Sequence, residues 1–247
     1  MPERGRTIDI QVRKTEFEEI APLRALYRFE ANCQIVRDSI LRRGFADPYL
    51  ILVDGRVAGY AGIWNEHFKN RVMEFYALPK RRADTLPMFR ELLAVGGATH
   101  IEAQTNMPLM NNLLYDSATN ISVENILFED GPATNLSRPS AVFGSREADE
   151  EGPEGDWVIR MNGKLVAAGG VMSHYNPPYG DIYMRVIPEA RRQGVGSYLV
   201  QELRHVCYEL GMRPAARCDA DNEASRRTLQ RGGLLSCGRL LAGEVRT

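Results

Sequence analysis

The sequence predicts an α/β fold of the mixed α+β kind, laid out as two tandem units. Each unit reads as a mostly antiparallel mixed sheet flanked by helices. Three observations lead there. Tyr49–Gly62 (YLILVDGRVAGYAG) and Trp157–Gly170 (WVIRMNGKLVAAGG) match in residue type at most places, with Asp54-Gly55 and Asn162-Gly163 at their turns. Asx-Gly between apolar runs is a strong hairpin signal, and self-similarity at a fixed spacing, here 108 positions, marks a duplicated unit. Second, a strand-like run, Asp181–Val186, is followed by a glycine-bearing loop. Leu199, Val200, Leu203, Val206, Cys207 and Leu210 then recur at helical spacing and stop at Gly211. Third, 247 residues at 44% apolar content suffice for one large core or two small ones.

Taken in order, the first unit opens on a strand, Ile8 to Val12. A helical region follows from about Thr15 to Arg43, with Phe17, Ile20, Leu23, Leu26 and Tyr27 on one face. After the first hairpin, Glu74–Pro79 aligns with Tyr183–Pro188 at an offset of 109. Thr105-Asn106, each time before a helix, aligns with Asp221-Asn222 at 116. Each unit thus reads hairpin, strand, helix, strand, helix, and the boundary is placed between residues 1–139 and 140–247. Between the hairpin repeats, Arg146–Asp156 (READEEGPEGD) is acidic with Gly and Pro, a solvated loop or an electrostatic guide for a cationic amine. The second unit has no counterpart of the Thr15–Arg43 helices.

The stretch Val186–Gly196 (VIPEARRQGVG) carries the chemistry. Strand, glycine loop and helix in that order hold phosphates: the loop exposes successive N–H groups and the helix N-terminus adds a partial positive charge. Gly194 and Gly196 lack a Cβ, so an anion can approach the backbone, and Arg191 and Arg192 bring charge-assisted donors. A mononucleotide loop needs Lys-Ser/Thr after its last glycine, which Val195-Gly196-Ser197 lacks. A dinucleotide fingerprint needs Gly or Ala at 199, which is Leu. What remains, Val186-x-Pro188-x-x-Arg191-Arg192-x-Gly194-x-Gly196, resembles the pyrophosphate loop of the GNAT acyltransferase superfamily, which binds acetyl-coenzyme A. The resemblance covers nearly the whole second half with specific motifs and the first half by pattern.

The resemblance implies an N-acetyltransferase that moves the acetyl group of acetyl-CoA to a primary amine, on a small molecule or a peptide, by direct transfer in a ternary complex. It needs no metal. It implies that Arg191, Arg192, Gln193, Gly194, Val195, Gly196 and Ser197 bind the coenzyme and that a backbone N–H at Met184 or Val186 serves the developing oxyanion. Asn222 would bond the pantetheine arm or cap the helix after it, and Ser225 sits beside it. Asp181, heading the strand, matches an acidic base of several members or is an ordinary turn carboxylate; Tyr183, His174 and Tyr175 are further candidates. Where the family often places a thiolate-protonating tyrosine this chain has Leu229, which leaves Tyr183, Ser225 or water. In the first unit Arg82 aligns with Arg191, but Thr85 and Pro87 replace the two glycines and Asp84 would repel a diphosphate. That unit is expected to be degenerate in coenzyme binding, a scaffold or a wall of the acceptor site.

The bulk numbers exclude other classes. With 31 basic and 32 acidic side chains and a net charge of −1, no field recruits nucleic acid. No apolar run approaches the roughly 20 residues of a membrane span, and the N-terminus lacks the apolar core of a signal peptide. Cys33, Cys207, Cys218 and Cys237 are scattered without zinc spacing and read as reduced thiols of a cytoplasmic protein. The missing tyrosine and altered first loop keep a rival class open, a non-catalytic acyl-CoA sensor or partner-binding module.

Overall fold

The structure is a computed structural model that describes residues 8–31 and 38–246. The expectations for the extreme N-terminus, for Cys33 and for the middle of the first helical region fall outside those residues. The chain divides into two compact units, residues 1–123 with 240–247 and residues 124–239.

In the first unit β1 (Ile10–Lys14) precedes α1 (Phe17–Glu30) and α2 (Asp38–Arg42). Then come β2 (Ala46–Val53), β3 (Arg56–Trp64), β4 (Arg71–Ala77), a 3-10 turn (Pro79–Asp84), α3 (Thr85–Gly96), β5 (His100–Gln104) and α4 (Pro108–Ser117). Asp54 and Gly55 both have positive φ, 52° and 70°, the turn whose twist matches the strands it joins. The first strand thus starts two residues later than its sequence pattern suggests. α1 buries Ile20, Leu23, Arg24 and Tyr27, one stripe at i, i+3, i+4 and i+7. Leu26, expected on that face, is exposed; Arg24 takes a buried place because Glu74 on β4 meets its guanidinium.

The second unit holds β7 (Ala141–Ser145), β8 (Trp157–Met161), β9 (Lys164–Asn176), β10 (Tyr179–Val186), a 3-10 turn (Pro188–Ala190), α5 (Val195–Glu209), β11 (Arg213–Asp219) and α6 (Glu223–Arg231). Asn162 and Gly163 repeat the hairpin turn with φ 50° and 73°. Leu199, Val200, Leu203 and Cys207 of α5 pack on Ile159, Ala167, Ile182 and Ala216 of the sheet.

Two strands run across the division between the units. Of β6 (Ala118–Asp130), Asn125–Glu129 pair antiparallel with β11 in the second unit. Of β12 (Leu234–Val245), Leu240–Glu244 pair antiparallel with β5 in the first. With the repeats divided at 139/140, each repeat's fifth strand is therefore completed by chain from the other repeat. A division at 139/140 follows the repeat; the compact units follow the pairing, which hydrophobic period alone does not encode.

Candidate functional site

β10 and β11 are parallel neighbours only where Tyr179–Asp181 face Arg213–Ala215. Beyond Asp181 they part. The N–H of Ile187 donates to the Val166 carbonyl at 3.0 Å, toward β9. Because successive residues of a strand alternate, the N–H and C=O of Val186 and Met184 point the other way, into the opening. The Val186 carbonyl there accepts from Arg191 Nε at 3.2 Å.

The chain leaves β10 through the 3-10 turn and reaches α5 with Arg192 and Gly194 in the left-handed region, φ 59° and 78°. Such residues curl the backbone into a concave run of N–H groups. Among the described residues, no backbone carbonyl accepts from any N–H between Arg192 and Ser197. These are the donors that a helix start leaves open, at the positive end of its dipole. Gly196 works differently: a Cβ there would lie 2.9 Å from Thr228 Cγ2 and 3.3 Å from Val186 Cγ2, so its bareness lets α5 sit close on β10 and α6.

A cleft of about 1130 Å³ opens along this loop. Its walls are Met184, Arg185 and Val186 of β10, Pro188 to Arg192 with Gly194, Gly196 and Ser197, and from the α6 side Asn222 to Ser225, Arg227, Thr228 and Arg231. Five arginines face two carboxylates, Glu189 and Glu223, and Glu223 is already engaged by Arg227 at 2.7 Å. The walls suit an elongated ligand with an anionic end, and the open amides with the arginines fit a diphosphate.

Of the residues singled out from sequence, Met184, Val186, Arg191, Arg192, Gly194, Gly196, Ser197, Asn222 and Ser225 come together here. Gln193 points away, donating to the Glu189 carbonyl at 2.8 Å, and Val195 is buried in the core. Asn222 caps α6, its Oδ1 accepting from Ser225 N at 3.0 Å. Leu229 is buried against the core, facing away from the cleft. Arg185 and Arg227 were not anticipated. Arg227 and Thr228 share a stripe with Ala224 and Arg231 at helical spacing, a signal present in the sequence.

Asp181 and Tyr183 stand outside the cleft walls. The Asp181 carboxylate is buried at the fork of the strands, 3.1 Å from Arg217 Nη2 on β11. The Tyr183 ring lies against Gly170, where a Cβ would come 2.7 Å from its hydroxyl. Burial first, then Asp156 and Glu154, raises its phenol above the ordinary value. Those acids belong to the acidic segment, which is largely exposed, as a solvated loop would be, and whose backbone is also tied down. Arg146 donates to the carbonyls of Gly155 (2.9 Å), Glu150 (2.6 Å) and Pro153, while Arg160 holds the Glu150 carboxylate at 2.6 Å.

The first unit repeats the frame with different contents. β4 and β5 pair at Arg71–Val72 against His100–Ile101 and then part, and Leu78 N–H donates to Ala58 O at 2.8 Å as Ile187 does to Val166. The cavity in that opening is only about 10 Å³, bordered by Tyr27, Met73, Glu102 and Met110. Thr85, aligned with Gly194, is right-handed at φ −57° and its hydroxyl donates to Arg82 O at 2.7 Å. Arg82 pairs with Glu30 of α1, which also accepts from the Tyr76 hydroxyl at 2.6 Å. Burial and that bond push the Tyr76 phenol up to about 12.

Comparison with known proteins agrees with this fold. Residues 121–233, a little under half of the chain, match the Acetyltransferase (GNAT) family. A GNAT-family acetyltransferase from Colwellia psychrerythraea superposes with a TM-score of 0.75 at 16% identity, covering 96% of this chain and 100% of that one. A GCN5-related N-acetyltransferase from Sphaerobacter thermophilus gives 0.60 at 17%, covering 96% of each chain. A tandem GNAT protein from the clavulanic acid biosynthesis pathway gives 0.62 at 14%, covering 97% of this chain and 99% of that one. At such identities the likeness is one of fold. No curated protein matches. Among the described residues no helix is long and apolar enough to cross a membrane.

Proposed function

We propose that the second unit is an N-acetyltransferase, moving the acetyl group of acetyl-CoA to a primary amine by direct transfer in a ternary complex. The observation that carries this reading is the cleft itself: a forked strand pair leading to a run of open amides and arginines at the start of α5. Acetyl-CoA, when bound, supplies an activated acyl carbon. The amides of Arg192–Ser197, with Arg191 and Arg192, hold its diphosphate. The N–H of Met184 or Val186, turned into the opening, donates to the oxygen on which charge develops. Asp181 at the fork takes the proton of the amine. Tyr183, neutral at pH 7 as any ordinary phenol is, is the donor for the leaving sulfur, with Ser225 or water as the other routes. Glu154 and Asp156 beside Tyr183 favour the approach of a cationic amine over an anionic acceptor. The tight first-unit opening and the Arg82–Glu30 pair support a first unit that leaves the coenzyme alone.

A second reading, an acyl-CoA sensor without turnover, draws on Leu229 in the core and on the ion pair that engages Asp181. Acetyl-CoA offered with and without a panel of primary amines separates the two. Amine-dependent release of free thiol is expected, lowered about 100-fold or more in Asp181→Asn if that carboxylate is the base. Tight binding with no amine-dependent release would leave only the sensor.

A further inference from the structure

α5 carries an unusual stripe. Ser197, Gln201 and Arg204, at i, i+4 and i+7, are polar yet each at most 5% exposed. The last two are buried because residues 130–138 run along the helix as a strap. Arg204 donates to Asp130 Oδ1 (2.8 Å), Gly131 O (2.8 Å) and Pro132 O (3.2 Å). About one helical turn nearer the start of α5, Gln201 holds both backbone groups of Leu136, accepting its N–H at 2.7 Å and donating to its carbonyl at 3.2 Å. The strap then ends where β7 begins, the Ala141 N–H donating to the Arg138 carbonyl at 2.8 Å. Pinned there, Arg138 lays its guanidinium on Gly194: a Cβ built on that glycine would lie 2.8 Å from the guanidinium carbon. Among the described residues no carboxylate is paired with Arg138.

An exposed cation held over the left-handed glycine at the mouth of a phosphate-binding helix has one chemistry to offer. We infer that Arg138 is a further coenzyme-binding residue, delivered by the strap to a phosphate group of the acyl-CoA. This rests on the cleft being a coenzyme site. It lies outside the Val186–Gly196 motif and comes from a part of the chain some fifty residues earlier.

Calorimetry on the full-length protein tests it, with CoA and 3′-dephospho-CoA against wild type, Arg138→Ala and Arg138→Lys. The expected result is a Kd for CoA raised about tenfold or more in Arg138→Ala, the size of one lost charge-assisted bond, with a smaller loss in Arg138→Lys. The salt dependence of binding should flatten while the melting curve is unmoved, which a merely structural role would not produce. An equal loss for both ligands assigns Arg138 to the diphosphate; a loss confined to CoA assigns it to the 3′-phosphate. Wild type that binds CoA with Arg138→Ala unchanged overturns this inference alone. Wild type that binds no CoA overturns the coenzyme reading together with it.

Discussion

Arg24 and Glu74 show what one buried charge demands of its neighbours. Arg24 Nε and Nη2 each reach a Glu74 oxygen at 2.7 Å, and the Tyr60 hydroxyl donates to the same carboxylate. Both side chains are at most 3% exposed, so neither charge has water to fall back on. Removing one partner leaves the other buried and unpaired, whereas removing both replaces ions with apolar contact. Arg24→Met should therefore cost roughly 3–5 kcal/mol in urea unfolding, and the double variant Arg24→Met with Glu74→Met should recover most of it. A double variant as unstable as the single would mean that the pair is not the cause. Glu74 aligns with Tyr183, so one strand position carries a structural ion pair in one unit and a neutral phenol near the proposed chemistry in the other.

At the scale of the element, the two loops leading into α3 and α5 differ by backbone handedness. Gly194 at φ 78° opens the amide run; Thr85 at −57° simply continues into helix. Gly194→Asp keeps a residue that tolerates the left-handed region but puts a carboxylate among the open amides. Coenzyme affinity should fall roughly 100-fold with far-ultraviolet circular dichroism unchanged, while Thr85→Asp leaves affinity as it is. Undiminished binding in Gly194→Asp would remove the loop from the site, and a loss in Thr85→Asp would place a coenzyme in the first unit. Gly196→Val tests packing instead, because its Cβ would press on Thr228 and Val186 at a cost of about 1–3 kcal/mol.

For the whole molecule, strand exchange decides what can fold alone. A fragment of residues 1–139 keeps the complete first repeat but lacks Leu240–Glu244, so β5 loses its antiparallel neighbour. It also carries Ile126, Leu127 and Phe128, buried in the second unit, with no β11 to cover them. That fragment is expected to aggregate or to show no cooperative melt, and deletion of residues 240–247 should destabilise the first unit selectively in hydrogen exchange. A cleanly melting, monomeric 1–139 fragment would show that the exchanged strand is dispensable.

How much was legible follows from which interactions are local. The hairpins at Asp54-Gly55 and Asn162-Gly163, the loop at Arg191–Gly196 and the cap at Asn222 are set by residues near in sequence, and each stands where its pattern placed it. The inward place of Arg24, the tying of the acidic segment by Arg146 and the pairing of Asp181 with Arg217 depend on partners brought from afar. So do the exchanged ends of β6 and β12 and the seat of Arg138 on Gly194. The sequence by itself determined the repeat and the glycine loop between strand and helix, because turn chemistry and hydrophobic period act within a few residues. Only the tertiary structure decided which strand completes which sheet and which charges meet, because those energies are realised when distant segments exclude water together.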